Sequence, residues 1–242
     1  MYENQNNFNF LQQERTESLP VAKTFISGVF TWMFLALAIT ALTAFYFGTN
    51  KELLGMLFNS QTGMTGLGWI VTFAPLGFVM LMSFGFQRLS GSAITLLFAV
   101  FAILMGMSLS FIFAAYQLGS IFSTFLVTSG MFGIMAVMGY TTKIDLTKLG
   151  SLMMMGLIGI IIASLVNMFM DSKDMGYIIS FLGVVIFTGL TAYDVQKLKR
   201  IGAGTEYGTE STRKLTIMGA MSLYLDFINL FLFLLRFLGR RN

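Results

Sequence analysis

The sequence predicts an all-α integral membrane protein, a bundle of seven transmembrane helices whose last helix carries a polar stripe. Three observations predict it. The 242 residues are 56% hydrophobic and only 11% charged, with a mean hydropathy of +0.78, whereas a soluble domain carries about a quarter charged residues. The apolar residues gather into seven runs of about twenty, long enough to cross hydrocarbon as helices, and they lack the strict alternation of barrel strands. The last run, residues 215–238, is rich in Leu and Phe yet holds Asp226 near its middle. With 25 Gly and only 2 Pro, the composition suits closely packed membrane helices.

Residues 1–19 form a polar lead rich in Asn, Gln and Glu. It lacks the basic start and immediate apolar core of a cleaved signal peptide, so the first span is expected to stay in the mature protein. Residues 20–242 read as one transmembrane domain, with no second domain or internal repeat. The first run is 21–47, followed by a polar segment in which the short piece LLGMLF suits the membrane interface. The second run, 66–84, contains Pro75, a candidate kink. Arg88 marks the turn to the third run, 93–114. The fourth, 120–139, carries Gly130 and Gly133, small positions that permit close helix approach. A charged loop with Lys143, Asp145 and Lys148 leads to the fifth, 151–170, which brings Ser164 and Asn167 onto one face. The sixth, 176–192, ends in YDVQKLKR, and a glycine-rich connector through Gly204 reaches the last run.

Charge orients the bundle. With the N-terminus in the cytoplasm, ten basic residues face inside, among them Arg88, Lys143, Lys199 and Arg200, and five face outside: Lys51, Lys173, Arg236, Arg240 and Arg241. That excess favours N-inside and C-outside, and it places the 201–213 connector in the cytoplasm. A re-entrant last helix would return the basic tail to the inside. These cations flank membrane spans instead of forming a groove, so they read as topology and not as nucleic-acid binding.

The chemistry narrows by elimination. Without Cys there is no disulfide or thiolate chemistry, and without His no imidazole base or imidazole metal ligand. The 19 Met residues are scattered without ligand spacing, which suits helix packing better than soft-metal binding. No zinc-protease, phosphate-loop or nucleophile-elbow motif occurs. An intramembrane aspartyl protease has two acids to draw on, but neither Asp194 nor Asp226 is followed by a glycine. The chain is therefore expected not to be an enzyme and to hold no tightly bound cofactor.

Two acids remain. Ser222, Asp226 and Asn229 recur at helical spacing, on a stripe running back to Gly219 and forward to Arg236. An intramembrane acid reads either as part of a cavity or ion path or as one buried polar contact between helices. Asp194, at the expected cytoplasmic end of the sixth run, reads either as a helix-end residue reaching water beside Lys197 or as a partner for Arg88. A last helix starting at Leu215 would put Asp226 eleven residues, about 16 Å, deep and at a different depth from Asp194, whereas a later start, a tilt or a broken first turn would bring the two acids level. Should they approach, mutual repulsion favours one shared proton and couples their titrations. Two Asp and Asn229 fall short of a closed calcium cage, so Asp194 and Asp226 suit weak or transient calcium binding.

The motifs AYDVQKLK at 192–199 and SLYLDFINLFLFLLRFLG at 222–239, with the seven-run pattern, resemble the Bax inhibitor family, in the bacterial branch that includes the YccA-type proteins. The resemblance implies a compact bundle around a central last helix, in a bacterial inner membrane. It implies for some members a pH-sensitive calcium leak, with Asp194 and Asp226 as the paired sensor and ion path and Arg88 as a latch. For a YccA-like member it implies association with a membrane-bound ATP-dependent protease. The expected partners are thus the lipid bilayer, calcium or protons, and in the second reading that protease.

Overall fold

The computed structural model describes residues 2–59, 63–206 and 208–242, with side chains from residue 22 onward. In chain order the elements are α1 (Tyr2–Thr49), α2 (Lys51–Leu57), a two-residue antiparallel pair of β1 (Phe58–Asn59) and β2 (Gly63–Met64), α3 (Gly66–Gly85), α4 (Gly91–Leu109), α5 (Ile112–Ala115), α6 (Leu118–Thr141), α7 (Thr147–Met170), α8 (Lys173–Ala203) and α9 (Glu210–Leu238). Among the described residues seven segments are long and apolar enough to cross a membrane, and they correspond one for one to the seven runs. The end of the polar lead at residue 19 falls within α1, and the lead's side chains, Arg15 included, lie outside the described residues.

Side-chain oxygens set several helix starts. Thr65, Ser90, Ser172 and Thr209 each accept the backbone N–H three residues on, at 3.0 to 3.3 Å, which satisfies donors a helix otherwise leaves open. The interfacial LLGMLF piece becomes α2, capped by Asn50. Pro75 lies buried inside α3, which runs on to Gly85. Two boundaries depart from the sequence reading. The sixth span does not stop near residue 192 but continues through the basic cluster to Ala203, and the last helix begins at Glu210, not at Leu215. A helix of 29 residues is about 43 Å long, more than hydrocarbon requires, so the added turns carry charge into the interface.

The last helix is the centre. α9 packs against α1, α4, α6 and α8, and it is the most buried of the seven spans. α3 leans on α4, and α7 on α8, at the periphery. Tyr224, fully buried, presents its ring edge-on to Phe98 and Phe101 of α4. Phe227 meets Phe125 and Phe132 of α6 in the same geometry. Outward-facing side chains such as Phe84, Phe122 and Phe169 are exposed, as a lipid-facing surface requires.

Close helix approach falls elsewhere than expected. A Cβ built on Gly130 or Gly133 would meet nothing within 4 Å, so neither mediates helix contact. Gly139, two turns on, is the close point: its Cβ would overlap the carbonyl of Ala192 in α8. Gly139→Ala is therefore expected to push α6 from α8 and cost about 1–3 kcal/mol. Gly130→Ala should be near neutral. Melting of both variants in one detergent checks the pair; equal midpoints would contradict the packing.

The tail settles one alternative. α9 is a single continuous crossing, and residues 239–242 lie at the end away from its start at Glu210. There Gln117 N–H donates to the Arg240 carbonyl at 3.0 Å, and Asn242 N–H to Ala115 at 3.1 Å. The re-entrant alternative is not adopted. In this cysteine-free chain, Gly204→Cys should resist an impermeant thiol reagent added outside intact cells, while Asn242→Cys should react. The reverse pattern would invert the orientation.

Candidate functional site

The two acids sit where α8 and α9 run side by side. Ser222 Oγ donates to Asp194 Oδ2 at 2.5 Å, which makes those residues level. Asp226 follows one turn deeper on α9. Asp194 is thus level with a residue one turn from Asp226, which decides the relative depth that the sequence left open. The level has a simple cause. α8 continues nine residues past Asp194 to Ala203, so Asp194 is not a helix-end residue but lies about 13 Å inside the end of its helix.

The two carboxylates differ in environment. Asp194 is half-buried and holds its Ser222 hydrogen bond. Asp226 is only 6% exposed, and its Oδ2 is buried without a hydrogen-bond partner. A buried polar atom in that condition is uncommon and costly, on the order of 1–3 kcal/mol, unless a proton, an ion or a rearrangement supplies a partner.

The other sequence candidates disperse. Asn229 donates to the Leu225 carbonyl of its own helix at 2.8 Å and does not join the acids. Arg236 lies near the far end of α9. Arg88 is exposed and forms no ion pair with Asp194; the one ion pair among the described residues joins Arg200 to Asp145. The turn bearing Arg88 is fastened instead to the start of α9, where Gly91 N–H donates to Glu210 Oε1 at 3.0 Å and Lys214 Nζ to the Phe86 carbonyl at 3.4 Å. Glu210 precedes Ser222 by twelve residues, about 18 Å of helix, which separates that turn from the Asp194 level.

Two arrangements were not legible in the sequence. Thr40 Oγ1 donates to the Ala102 carbonyl at 2.9 Å and accepts from Tyr224 Oη at 2.7 Å, tying α9 to α1 and α4. On the connector side, Gln196 accepts from Leu146 N–H and donates to the Ile144 carbonyl, and Arg200 reaches both Gln196 and Asp145. The only sequence signal for the second was the charge of the loop; nothing linked Thr40 to Tyr224, 184 residues away.

Among the described residues no group of three or more His, Cys, Asp or Glu side chains is gathered to hold a metal. The two aspartates alone offer weak cation ligation at most. A recess of about 620 Å³ on the connector side is lined by residues including Trp32, Gly91, Glu210 and Arg213, and by neither aspartate.

The hydrogen bonds from Thr147 and Arg200 hold the Asp145 carboxyl well below the usual carboxylate range. A lowered folded-state value means stabilisation that is present above the unfolded value of about 3.9 and lost as pH falls through the folded one. The pair is exposed, so its contribution is small. Asp145→Asn should therefore leave any change of melting temperature between pH 5 and 8 as in the wild type. A flattened profile would place a titration here that the geometry does not support.

The protein-family model described as Inhibitor of apoptosis-promoting Bax1 matches residues 22–242. Inner membrane protein YbhL of Escherichia coli strain K12 is 44% identical over 221 residues, 91% of this chain and 93% of that protein. An uncharacterised protein of Borreliella burgdorferi is 44% identical over 232 residues, covering 96% and 98%. One from Rickettsia prowazekii is 44% identical over 217 residues, covering 88% of each.

Proposed function

This chain belongs to the Bax1-I family of polytopic membrane proteins, and we propose that it is a pH-sensitive cation leak of the bacterial inner membrane, with calcium as the permeant ion and Asp194 and Asp226 as its gate. Residues 20–242 act as one transmembrane domain in this reading. The observation that carries it is the Asp226 oxygen, buried on the central helix without a partner, beside an acid already tied to Ser222. A proton shared by the pair, or a cation bound between them, supplies the missing interaction. The protein acts by conduction and not by covalent chemistry.

The arrangement corresponds to a closed path. Asp194 is held across the α8–α9 seam by Ser222, and the wide recess at the connector does not include the pair. Opening breaks the Ser222 contact and lets α8 move against α9. Ionisation of both acids favours that separation by repulsion and creates the charge that attracts a divalent ion. Acidification neutralises the pair and weakens calcium binding. Arg88 acts as a latch only in a state where the α3–α4 turn leaves Glu210.

Calcium flux into liposomes is the test, with helix-distance spectroscopy on the same samples. Wild type should weaken its calcium binding and shift its conformational population as pH falls from 8 to 5. Asp226→Asn and Asp194→Asn should each fold and lose most of that response. The double variant should match the stronger single one, because coupled groups are not additive. If every variant folds and responds as wild type does, the pair is no gate. Absence of flux at any pH from 5 to 8 would favour the regulatory reading, in which the chain binds a membrane-bound ATP-dependent protease.

A further inference from the structure

On the face opposite the α8–α9 connector, the ends of α7, α8 and α9 and the C-terminal tail enclose a recess of about 430 Å³. Three cations line it, Lys173, Arg236 and Arg241, against one carboxylate, Asp171. None of the three is in an ion pair, since Arg200–Asp145 is the one pair among the described residues. Arg241 rests over the ring of Tyr116, 5.9 Å from its centre. Arg236 brings one end of its guanidinium against the first turn of α8: a Cβ on Gly176 would overlap its guanidinium nitrogen. The glycine gives the guanidinium its seat.

The recess has a second character. On its lipid-facing side stand Tyr177 and Phe237, both exposed and packed edge to face with ring centres 6.5 Å apart. Aromatic rings at a helix end mark the headgroup level of a bilayer. A net-positive polar pocket opening beside an apolar aromatic ledge fits an amphiphile with an anionic head better than a small ion. The fork of a guanidinium matches phosphate oxygens, and a lysine adds a point charge.

We infer that this recess binds the phosphate of an anionic phospholipid headgroup, with Arg236 and Lys173 on the phosphate and the Tyr177–Phe237 ledge against the glycerol and upper acyl chain. Free phosphate shares the chemistry of the head but gains nothing from the ledge. The site is separate from the aspartate pair and stands whether or not the protein conducts.

Native mass spectrometry of the full-length protein in neutral detergent tests it, with phosphatidylglycerol titrated against phosphatidylcholine. Phosphatidylglycerol should be retained preferentially, and Arg236→Gln should weaken it about tenfold, the scale of one lost charge-assisted contact. Lys173→Gln, at an exposed first-turn position, should weaken it several-fold and carries the test should the arginine variant not fold. Lys51→Gln, which loses the same charge on the same face outside the recess, should bind as wild type. Equal retention of the two lipids, or equal loss in Lys51→Gln and Lys173→Gln, would overturn the inference. If inorganic phosphate displaces the lipid while chloride at equal ionic strength does not, the anion site stands and its source becomes free phosphate.

Discussion

Hydrocarbon offers no hydrogen-bond partner, so every polar side chain on a helix inside the bilayer must be satisfied by protein. That constraint governs the position of α9. Its Ser222 needs Asp194 on α8, and two residues on, its Tyr224 needs Thr40 on α1, which in turn needs the Ala102 carbonyl on α4. These demands point to different sides of one helix. Only a position ringed by other helices meets them, and α9 occupies it, although it is the last span to be made. Aromatic edges from α4 and α6 fill the remaining contacts. Asp226, on the same helix, is the polar group left without full satisfaction.

The two ends of the bundle are built differently. At the connector end, Gln196, Arg200, Lys199 and Glu210 fasten the loops to α8 and α9 through direct hydrogen bonds. At the opposite end, Lys173 and Arg236 face a recess without ion-pair partners. One end is thus tied to itself, while the other presents charge to whatever lies at its surface. The aspartate pair sits between, on the most buried helix and its principal neighbour.

Small residues matter here by placement more than by number. Gly130 and Gly133 face open space, whereas Gly139 brings the backbones of α6 and α8 together and Gly176 seats a guanidinium. Close approach between helices depends on which face is turned inward, and a spacing on one chain does not carry that information. The same reason explains Arg236. Helical spacing put it on the stripe of Asp226, but ten residues of rise carry it to the other end of α9.

The sequence by itself determined the class, the seven crossings, the depth of Asp226 as an acid inside a span, and the family, because each depends on local hydropathy or a contiguous motif. Tertiary structure alone decided that Asp194 comes level with Ser222, one turn from Asp226. That outcome needed α8 to outlast its apolar run and α9 to begin before its own, since charged turns remain helical where they reach past the hydrocarbon. It also decided that Ser222, and not Arg88, holds Asp194, and that Thr40 completes Tyr224. Those pairings join residues 28 and 184 positions apart, and only the packing of whole helices brings such partners within a hydrogen bond.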